Sequence, residues 1–245
     1  METLNKFITN ISVLPSNCDF QRRLGIYETF RIFMDIANEH EKRLSAGQTA
    51  LMDKGLFWLT VKTRIKFNRR PFMDSVMKAE TWPYKVGSFL SDRCYRLSDE
   101  NGIIAEGITQ WAILDIKDGN LSCISDMFAD RMELSEDRLS FSDFPRINVC
   151  KNMDNVKKTY TVSSSDIDMG LHMNNTAYIR AMLGLFSVKE LEEMEIKDVT
   201  VIFKKSAHEG DVLSMPVVRT DSIIDTGLYF SDGSPAVLAR IATAG

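Results

Sequence analysis

The residues best suited to chemistry lie in one short segment, DIDMGLHMNNTAYI, which runs from Asp166 to Ile179. Asp168 and His172 lie in its loop, just before the residues of a helical pattern. A carboxylate and an imidazole placed together can activate water, attack a carbonyl directly or shuttle a proton. We therefore predict that Asp168 and His172 are the catalytic residues, and that Asp166 is structural, as a cap or turn former. His40 and His208 have no comparable setting.

The start of the following helix explains why this segment suits a carbonyl substrate. A helix is predicted from about Asn175 to Phe186, with Asn174 or Asn175 as N-cap, because a short polar side chain satisfies free N–H groups. The first-turn N–H groups and the positive end of the helix dipole then stabilise an oxygen that becomes negative during attack. The predicted substrate-binding residues are Asn174, Asn175 and Tyr178.

Both halves of the chain show the same order, a helix and then a series of strands. In the first half, apolar residues recur every three or four positions between Leu24 and Leu44, as on one helix face. The segment from Trp58 to Phe67 then alternates. This alternation predicts a strand with one face formed by Leu59, Val61, Thr63, Ile65 and Phe67.

The second half repeats this scheme after its own helix. Alternating segments such as VTVIFKK and AVLARIAT follow, and YFSDGSPAVLARIATA parallels RLSDENGIIAEGITQWAIL of the first half. We infer an internal duplication and an α+β architecture in which each sheet packs on a helix. The predicted domains are residues 1–131 and 158–245, joined by the polar connector 132–157, which Phe141, Phe144 and Ile147 hold against the body.

Composition excludes several classes of protein. The 245 residues are 44% hydrophobic and 26% charged, with a net charge of -4, which gives no reason to expect a nucleic-acid partner. The chain has no apolar run of membrane-spanning length, no signal-peptide pattern and no GxSxG elbow. Its cysteines form no CxxC pair. We expect a cytoplasmic protein that contacts no membrane and needs no metal or organic cofactor. The cysteines are Cys18, Cys94, Cys123 and Cys150.

The motif also carries a family resemblance. DIDMGLHMNNTAYI is similar to the DxDxNxHxNNxxYI-type signature of the acyl-acyl-carrier-protein thioesterases of plants and bacteria. The segments NCDFQRRLGIYETFRIFMDIANEH, RIKFNRRPFMDSVMKAETWP and RLSDENGIIAEGITQWAILD agree in the same order along the chain. The resemblance implies two tandem hot-dog folds, each a long helix wrapped by an antiparallel β-sheet. It also implies that the second supplies the catalytic groups and the first much of the acyl-chain pocket.

This sequence departs from the family pattern at two positions. The family's motif Asp and His fall on Asp168 and His172, but its catalytic Asn falls on Gly170. A downstream Glu, expected in a pattern like YxKEAxxGD, falls on Ser206 within FKKSAHEGD. The candidates to replace the missing groups are Glu209, His208 or Asn174.

The resemblance implies an enzyme of fatty acid biosynthesis that hydrolyses fatty acyl-acyl-carrier-protein to free fatty acid and carrier thiol. The partner is then an acidic acyl carrier protein, which basic residues such as Arg69 and Arg70 would steer. Two alternatives stay open: an acyl-CoA thioesterase of the same fold, and a catalytically silent acyl-binding paralogue. Both a monomer and a homodimer are compatible with two hot dogs in one chain.

Overall fold

A computed structural model describes residues 5–124, 134–148 and 155–244. The chain forms two compact units, which we call unit 1 (residues 1–143) and unit 2 (residues 144–245). In each unit a helix precedes most strands of an antiparallel sheet, so the predicted α+β class and the repeated order of elements are confirmed.

Unit 1 contains a five-stranded antiparallel sheet in the order β1-β3-β4-β5-β2, with β6 paired to β5. The sequence patterns predict α1 and β2 to β5 but not the short elements β1, α2 and β6. The elements in chain order are β1 Phe7–Ser12, α1 Ile26–Arg43, α2 Gln48–Met52, β2 Leu56–Phe67, β3 Val76–Val86, β4 Ser91–Asp99, β5 Gly102–Asp115 and β6 Leu121–Ser122.

Helix α1 packs against this sheet because its apolar residues share one face. Ile26, Phe30, Phe33 and Ala37 are buried, at the spacing of an amphipathic helix. A Cβ atom at Gly107 of β5 would lie only 2.4 Å from Cε2 of Phe33. The close approach of α1 to β5 therefore depends on a glycine at this position.

A bulge in β2 alters the face predicted for that strand. Thr60 pairs with Trp111, Thr63 pairs with Thr109, and the register shifts between the two pairs. Because Thr109 and Trp111 are two positions apart on β5, Thr60 and Thr63 point to the same side of the sheet. The predicted alternation is therefore wrong for the first part of the strand. The face carries Thr60, Thr63, Ile65 and Phe67 in place of the predicted Leu59, Val61, Thr63, Ile65 and Phe67.

Unit 2 contains an antiparallel sheet in the order β8-β11-β10-β9-β7. Its first helix ends at Leu183 rather than at the predicted Phe186, because Gly184 forms the C-cap. Ser187 then caps a second short helix. The elements are β7 Val156–Thr161, α3 Asn175–Leu183, α4 Val188–Glu193, β8 Ile196–Phe203, β9 Val212–Thr220, β10 Ile223–Tyr229 and β11 Pro235–Thr243.

The predicted connector contains no helix or strand over residues 134–148, but its last residues, Val156 and Lys157, already belong to β7. Phe141 is buried and lies under the guanidinium group of Arg64, and Ile147 is buried in a cluster with Tyr229. The prediction that these side chains hold the segment against the body is confirmed for Phe141 and Ile147. Cys150 and the rest of residues 149–154 lie outside the described residues.

The described helices are too short or too polar to cross a membrane.

Candidate active site

The motif that carries Asp168 and His172 forms a tight hairpin turn in unit 2. Ile167 and Met173 face each other in an antiparallel bridge, and the N–H of Asp168 donates to the carbonyl oxygen of His172 at 3.0 Å. Successive side chains in such a ladder point to opposite faces. Asp168 and His172 therefore share the face opposite to the buried Met173. The structure thus brings the two predicted catalytic residues together.

One oxygen of the Asp168 carboxylate positions the side chain and the other is available. Oδ1 accepts the N–H of Gly170 at 2.8 Å. None of the described residues donates a hydrogen bond to Oδ2. The N–H of Leu171 closes the turn on the carbonyl oxygen of Asp168, with Leu171 in the left-handed region at φ 60°. The half-buried carboxylate is held in place while one oxygen can still accept a proton.

His208, in the loop after β8, stands beside His172. The two ring centroids are 4.9 Å apart and the ring planes are inclined by 55°. Nδ1 of His208 lies 3.3 Å from the carbonyl oxygen of Leu171. Because a carbonyl only accepts, Nδ1 carries the proton in the neutral ring and Nε2 keeps its lone pair. The expectation that His208 has no setting comparable to that of His172 is wrong, because the loop folds back onto the motif.

The helix that follows the motif begins as predicted. Asn174 is the N-cap of α3, and its Oδ1 accepts from the N–H and the hydroxyl of Thr176, at 2.8 and 2.6 Å. Asn175 is the first helical residue and is half-buried. Its N–H donates to none of the described residues, so a backbone donor remains at the positive end of the helix.

Asp166 has the structural role predicted for it. Its buried carboxylate accepts from the hydroxyl of Tyr160 and from the N–H and hydroxyl of Ser163, each at 2.9 Å, and pairs with Arg180. Burial alone would raise the pKa of Asp166. The hydrogen bonds and the charge of Arg180 outweigh burial, so the pKa lies below its usual value. Asp166 is therefore an ionised anchor that holds the start of the motif to α3.

Tyr178 and Met173 fasten the loop after β8 to the motif. The hydroxyl of Tyr178 accepts the N–H of Ala207 at 2.9 Å, and the N–H of Met173 donates to the carbonyl oxygen of Ala207 at 2.8 Å. Tyr178 is only 3% exposed, and this burial raises the pKa of its phenol to about 12. These contacts explain why His208 reaches His172. The predicted contact of Tyr178 with substrate stays a prediction.

Two family models match almost the whole chain. The acyl-ACP thioesterase N-terminal domain matches residues 4–132, and the acyl-ACP thioesterase C-terminal domain matches residues 150–241. The chain belongs to the acyl-ACP thioesterase family. The predicted resemblance is thereby confirmed, and the hairpin with Asp168 and His172 lies in the part that matches the C-terminal domain.

Named relatives of this family member are plant enzymes. An acyl-[acyl-carrier-protein] hydrolase, chloroplastic, of Cuphea viscosissima is 25% identical in an alignment 240 residues long that covers 91% of this chain and 57% of the relative. The palmitoyl-acyl carrier protein thioesterase, chloroplastic, of Cuphea hookeriana is 27% identical and covers 84% of this chain and 53% of its own length. The chain thus spans about half the length of the curated relatives it matches.

Solved structures of acyl-ACP thioesterases share its fold. One from Bacteroides thetaiotaomicron has a TM-score of 0.89 and 19% identity, and the match covers 98% of each chain. The 12:0-ACP thioesterase from Umbellularia californica has a TM-score of 0.87 and 17% identity, and covers 100% of this chain and 98% of its own. The predicted pair of tandem hot-dog folds is therefore confirmed.

This acyl-ACP thioesterase family member lacks two polar side chains of the family pattern, at Gly170 and Ser206. The backbone N–H of Gly170 donates to Oδ1 of Asp168 at 2.8 Å. Ser206 is exposed and precedes Ala207, which is hydrogen-bonded to Tyr178 and Met173. Of the three candidate replacements, Asn174 uses its side-chain oxygen to cap α3, and Glu209 is exposed. His208 is the candidate whose side chain contacts His172.

Unit 1 contains a second copy of the same hairpin. Cys18 and Leu24 form its bridge, and the N–H of Asp19 donates to the carbonyl oxygen of Arg23 at 2.9 Å. Arg22 takes the left-handed position, at φ 57°. Asp19 therefore corresponds to Asp168, and Arg23 corresponds to His172, which extends the inferred duplication to individual residues.

The copy in unit 1 holds a different set of interactions. The carboxylate of Asp19 is paired with Arg70, whereas that of Asp168 has no cationic partner among the described residues. Arg23 stacks its guanidinium group over the ring of Phe72, 4.1 Å from the centroid, and arginine is too basic to accept a proton. The same hairpin backbone thus carries a structural ion pair in unit 1 and a carboxylate beside an imidazole in unit 2.

Proposed function

We propose that the chain hydrolyses fatty acyl-acyl-carrier-protein and releases a free fatty acid and the carrier thiol. The observation that carries this proposal is the shared face of Asp168 and His172, immediately before the N-terminus of α3, in a chain of the acyl-ACP thioesterase family. The relatives named above are hydrolases or thioesterases of acyl carrier proteins.

In the proposed reaction His172 accepts a proton from water while the water oxygen attacks the thioester carbonyl carbon. The negative charge of Asp168 stabilises the imidazolium that forms, and its Oδ2 is available to the water or the ring. The tetrahedral intermediate then expels the thiolate, which takes the proton from His172. The products are a carboxylic acid and a thiol, so the step needs no metal or cofactor.

The start of α3 supplies the group that receives developing negative charge. The carbonyl oxygen becomes an oxyanion in the intermediate, and the N–H of Asn175 and the helix dipole are directed to that kind of charge. The side-chain NH₂ of Asn174 is a second donor, since the capping interaction uses only its oxygen. These roles give Asn174 and Asn175 the substrate contacts that we predict for them.

In this proposal His208 takes over the role of the polar side chains that are missing at Gly170 and Ser206. Its ring lies against His172, and its Nε2 lone pair can accept a hydrogen bond from the attacking water or from His172. Substrate orientation in this chain then depends on two imidazoles and one carboxylate.

In this proposal unit 1 binds the acyl chain, and the acyl carrier protein is the partner. Several basic residues considered for carrier steering are already neutralised, since Arg69 pairs with Asp99, Arg70 with Asp19 and Arg64 with Asp143. Exposed Lys204 of unit 2 is better placed to attract an acidic protein, whereas its neighbour Lys205 pairs with Asp232. A cytoplasmic location and a monomeric or homodimeric state stay predictions.

The losses at Gly170 and Ser206 favour one second candidate, a protein that binds acyl thioesters without turnover. A free-thiol release assay over acyl chains of increasing length, on acyl carrier protein and on CoA, separates the possibilities. We expect turnover on the carrier-protein esters, with much lower kcat/KM on CoA. Tight binding of both esters without thiol release would refute hydrolysis and establish the silent candidate, and equal turnover on CoA would refute the choice of carrier.

A further inference from the structure

The interior of unit 1 contains a row of polar side chains where a fatty chain alone would require none. Under α1, the sheet face changes along the strands from apolar residues, such as Ile65 and Leu97, to polar ones. The polar part lies near the end of α1 that carries Glu41. The polar inner residues of β2, β4 and β5, which we call the inner polar row, are Thr60, Thr63, Ser91, Arg93, Tyr95, Thr109 and Trp111.

Part of the inner polar row is satisfied within the protein. The hydroxyls of Thr63 and Thr109 bond each other at 3.1 Å, and Arg93 pairs with Glu41. These contacts are the usual arrangement, because buried polar groups nearly always have hydrogen-bond partners. The exceptions in the same row therefore need an explanation.

Three polar groups of the inner polar row are such exceptions. Tyr95 is 0% exposed and Thr60 is 2% exposed, yet the hydroxyl of each has no hydrogen-bond partner among the described residues. The buried indole N–H of Trp111 also has none, although the N–H groups of Trp58 and Trp82 each donate to a carbonyl oxygen. Unit 1 holds five of the six unpartnered buried side-chain atoms of the described residues.

These three groups are neighbours. Thr60 and Trp111 are direct cross-strand partners, so their side chains leave the sheet side by side. The indole of Trp111 and the hydroxyl of Thr109 lie next to the hydroxyl of Tyr95. A buried polar group without a partner carries a free-energy penalty, so a shared oxygen atom between these groups would remove that penalty.

We propose that unit 1 binds an acyl chain that carries a hydroxyl or keto oxygen, held by Thr60, Tyr95 and Trp111. This inference rests on the proposed function and deepens it by naming the substrate class. The indole N–H can only donate, whereas the two hydroxyls donate or accept, so the set accepts either form of oxygen. The apolar part of the same face receives the methylene chain.

Binding of fatty acids to the full chain tests this inference without any need for turnover. Isothermal titration calorimetry would compare straight-chain fatty acids with matched acids that carry a hydroxyl or keto group at successive positions. At one position we expect an affinity about tenfold higher than for the unsubstituted acid. Tyr95→Phe and Thr60→Val should each remove most of this preference, while Tyr229→Phe, which alters a buried tyrosine of unit 2, should leave it unchanged.

Two results would overturn the inference. In the first, no oxygenated acid binds more tightly than its unsubstituted counterpart, so water alone satisfies these groups. In the second, the preference persists in both variants after their far-ultraviolet circular dichroism and melting temperatures show an intact fold. Either result is independent of hydrolysis, whereas a failure of thiol release with every ester would refute the proposed function and leave this preference measurable.

Discussion

Asp166 and Asp168 are two carboxylates of one short loop with opposite surroundings. Asp166 is buried and saturated with donors from Ser163, Tyr160 and Arg180. Asp168 is half-buried and receives one backbone N–H at Oδ1. A carboxylate whose oxygens are all engaged stabilises structure, whereas one with a free oxygen can take part in proton transfer.

We expect Asp166→Asn to destabilise the protein by about 2 kcal/mol at neutral pH, since the donors around this buried carboxylate, half-exposed Arg180 among them, lose their anion. The pKa of Asp166 lies below its unfolded value, so its stabilising effect is present above about pH 4 and is lost as the pH falls through the folded pKa. Urea unfolding of parent and variant at several pH values checks this. A difference that does not shrink in acid would contradict the assignment.

His208→Gln is expected to lower kcat/KM for acyl-carrier-protein hydrolysis about a hundredfold without loss of stability, because the side chain is exposed but contacts His172. The matched control is Glu209→Gln, the adjacent exposed residue, which should retain parental kinetics. Equal kinetics for the two variants would show that His208 has no part in the reaction.

Among the elements, three close contacts position the residues described above. The hairpin at residues 168–172 sets Asp168 beside His172, and the pair of hydrogen bonds at Ala207 holds the loop after β8 against it. In unit 1, Gly107 lets α1 lie close to β5. The contact at Gly107 depends on the absence of a single side chain, so one substitution tests it.

Gly107→Ala tests the contact of α1 with the sheet. The added methyl group would overlap the ring of Phe33, and overpacking of this kind costs about 2 kcal/mol. Chemical denaturation should show this loss, and Phe33→Leu in the Gly107→Ala background should recover part of it. A Gly107→Ala variant as stable as the parent would mean that the helix is free to move away.

The sequence predicts most of the secondary structure, but it predicts only part of the arrangement of the candidate site. Alternation and helical periodicity locate α1, β2 to β5 and most strands of unit 2, because each element buries one face. The bulge at Thr60 was not predictable, since it depends on the pairing of β2 with β5. The place of His208 was also missed, because a loop contact across distant residues leaves no periodic pattern. One available signal was Asp211 three residues after His208, since its carboxylate accepts the N–H of His208 at 2.8 Å and forms a turn there.

On the scale of the whole molecule, the duplication explains how one fold carries two kinds of site. Both units build a hairpin with an aspartate at the same position and a left-handed residue before the basic one. Unit 1 neutralises its aspartate with Arg70, whereas unit 2 leaves Asp168 beside His172. Asp19 is therefore an internal control for Asp168.

The most direct measurement is the rate of free-thiol release from acyl-acyl-carrier-protein by the parent, Asp168→Asn and Asp19→Asn. We expect Asp168→Asn to lower kcat by about a thousandfold or more with an unchanged fold, since it removes the carboxylate beside His172. Asp19→Asn should keep most of the parental rate because its carboxylate lies in the structural copy of the hairpin. Parental turnover by Asp168→Asn would contradict the account.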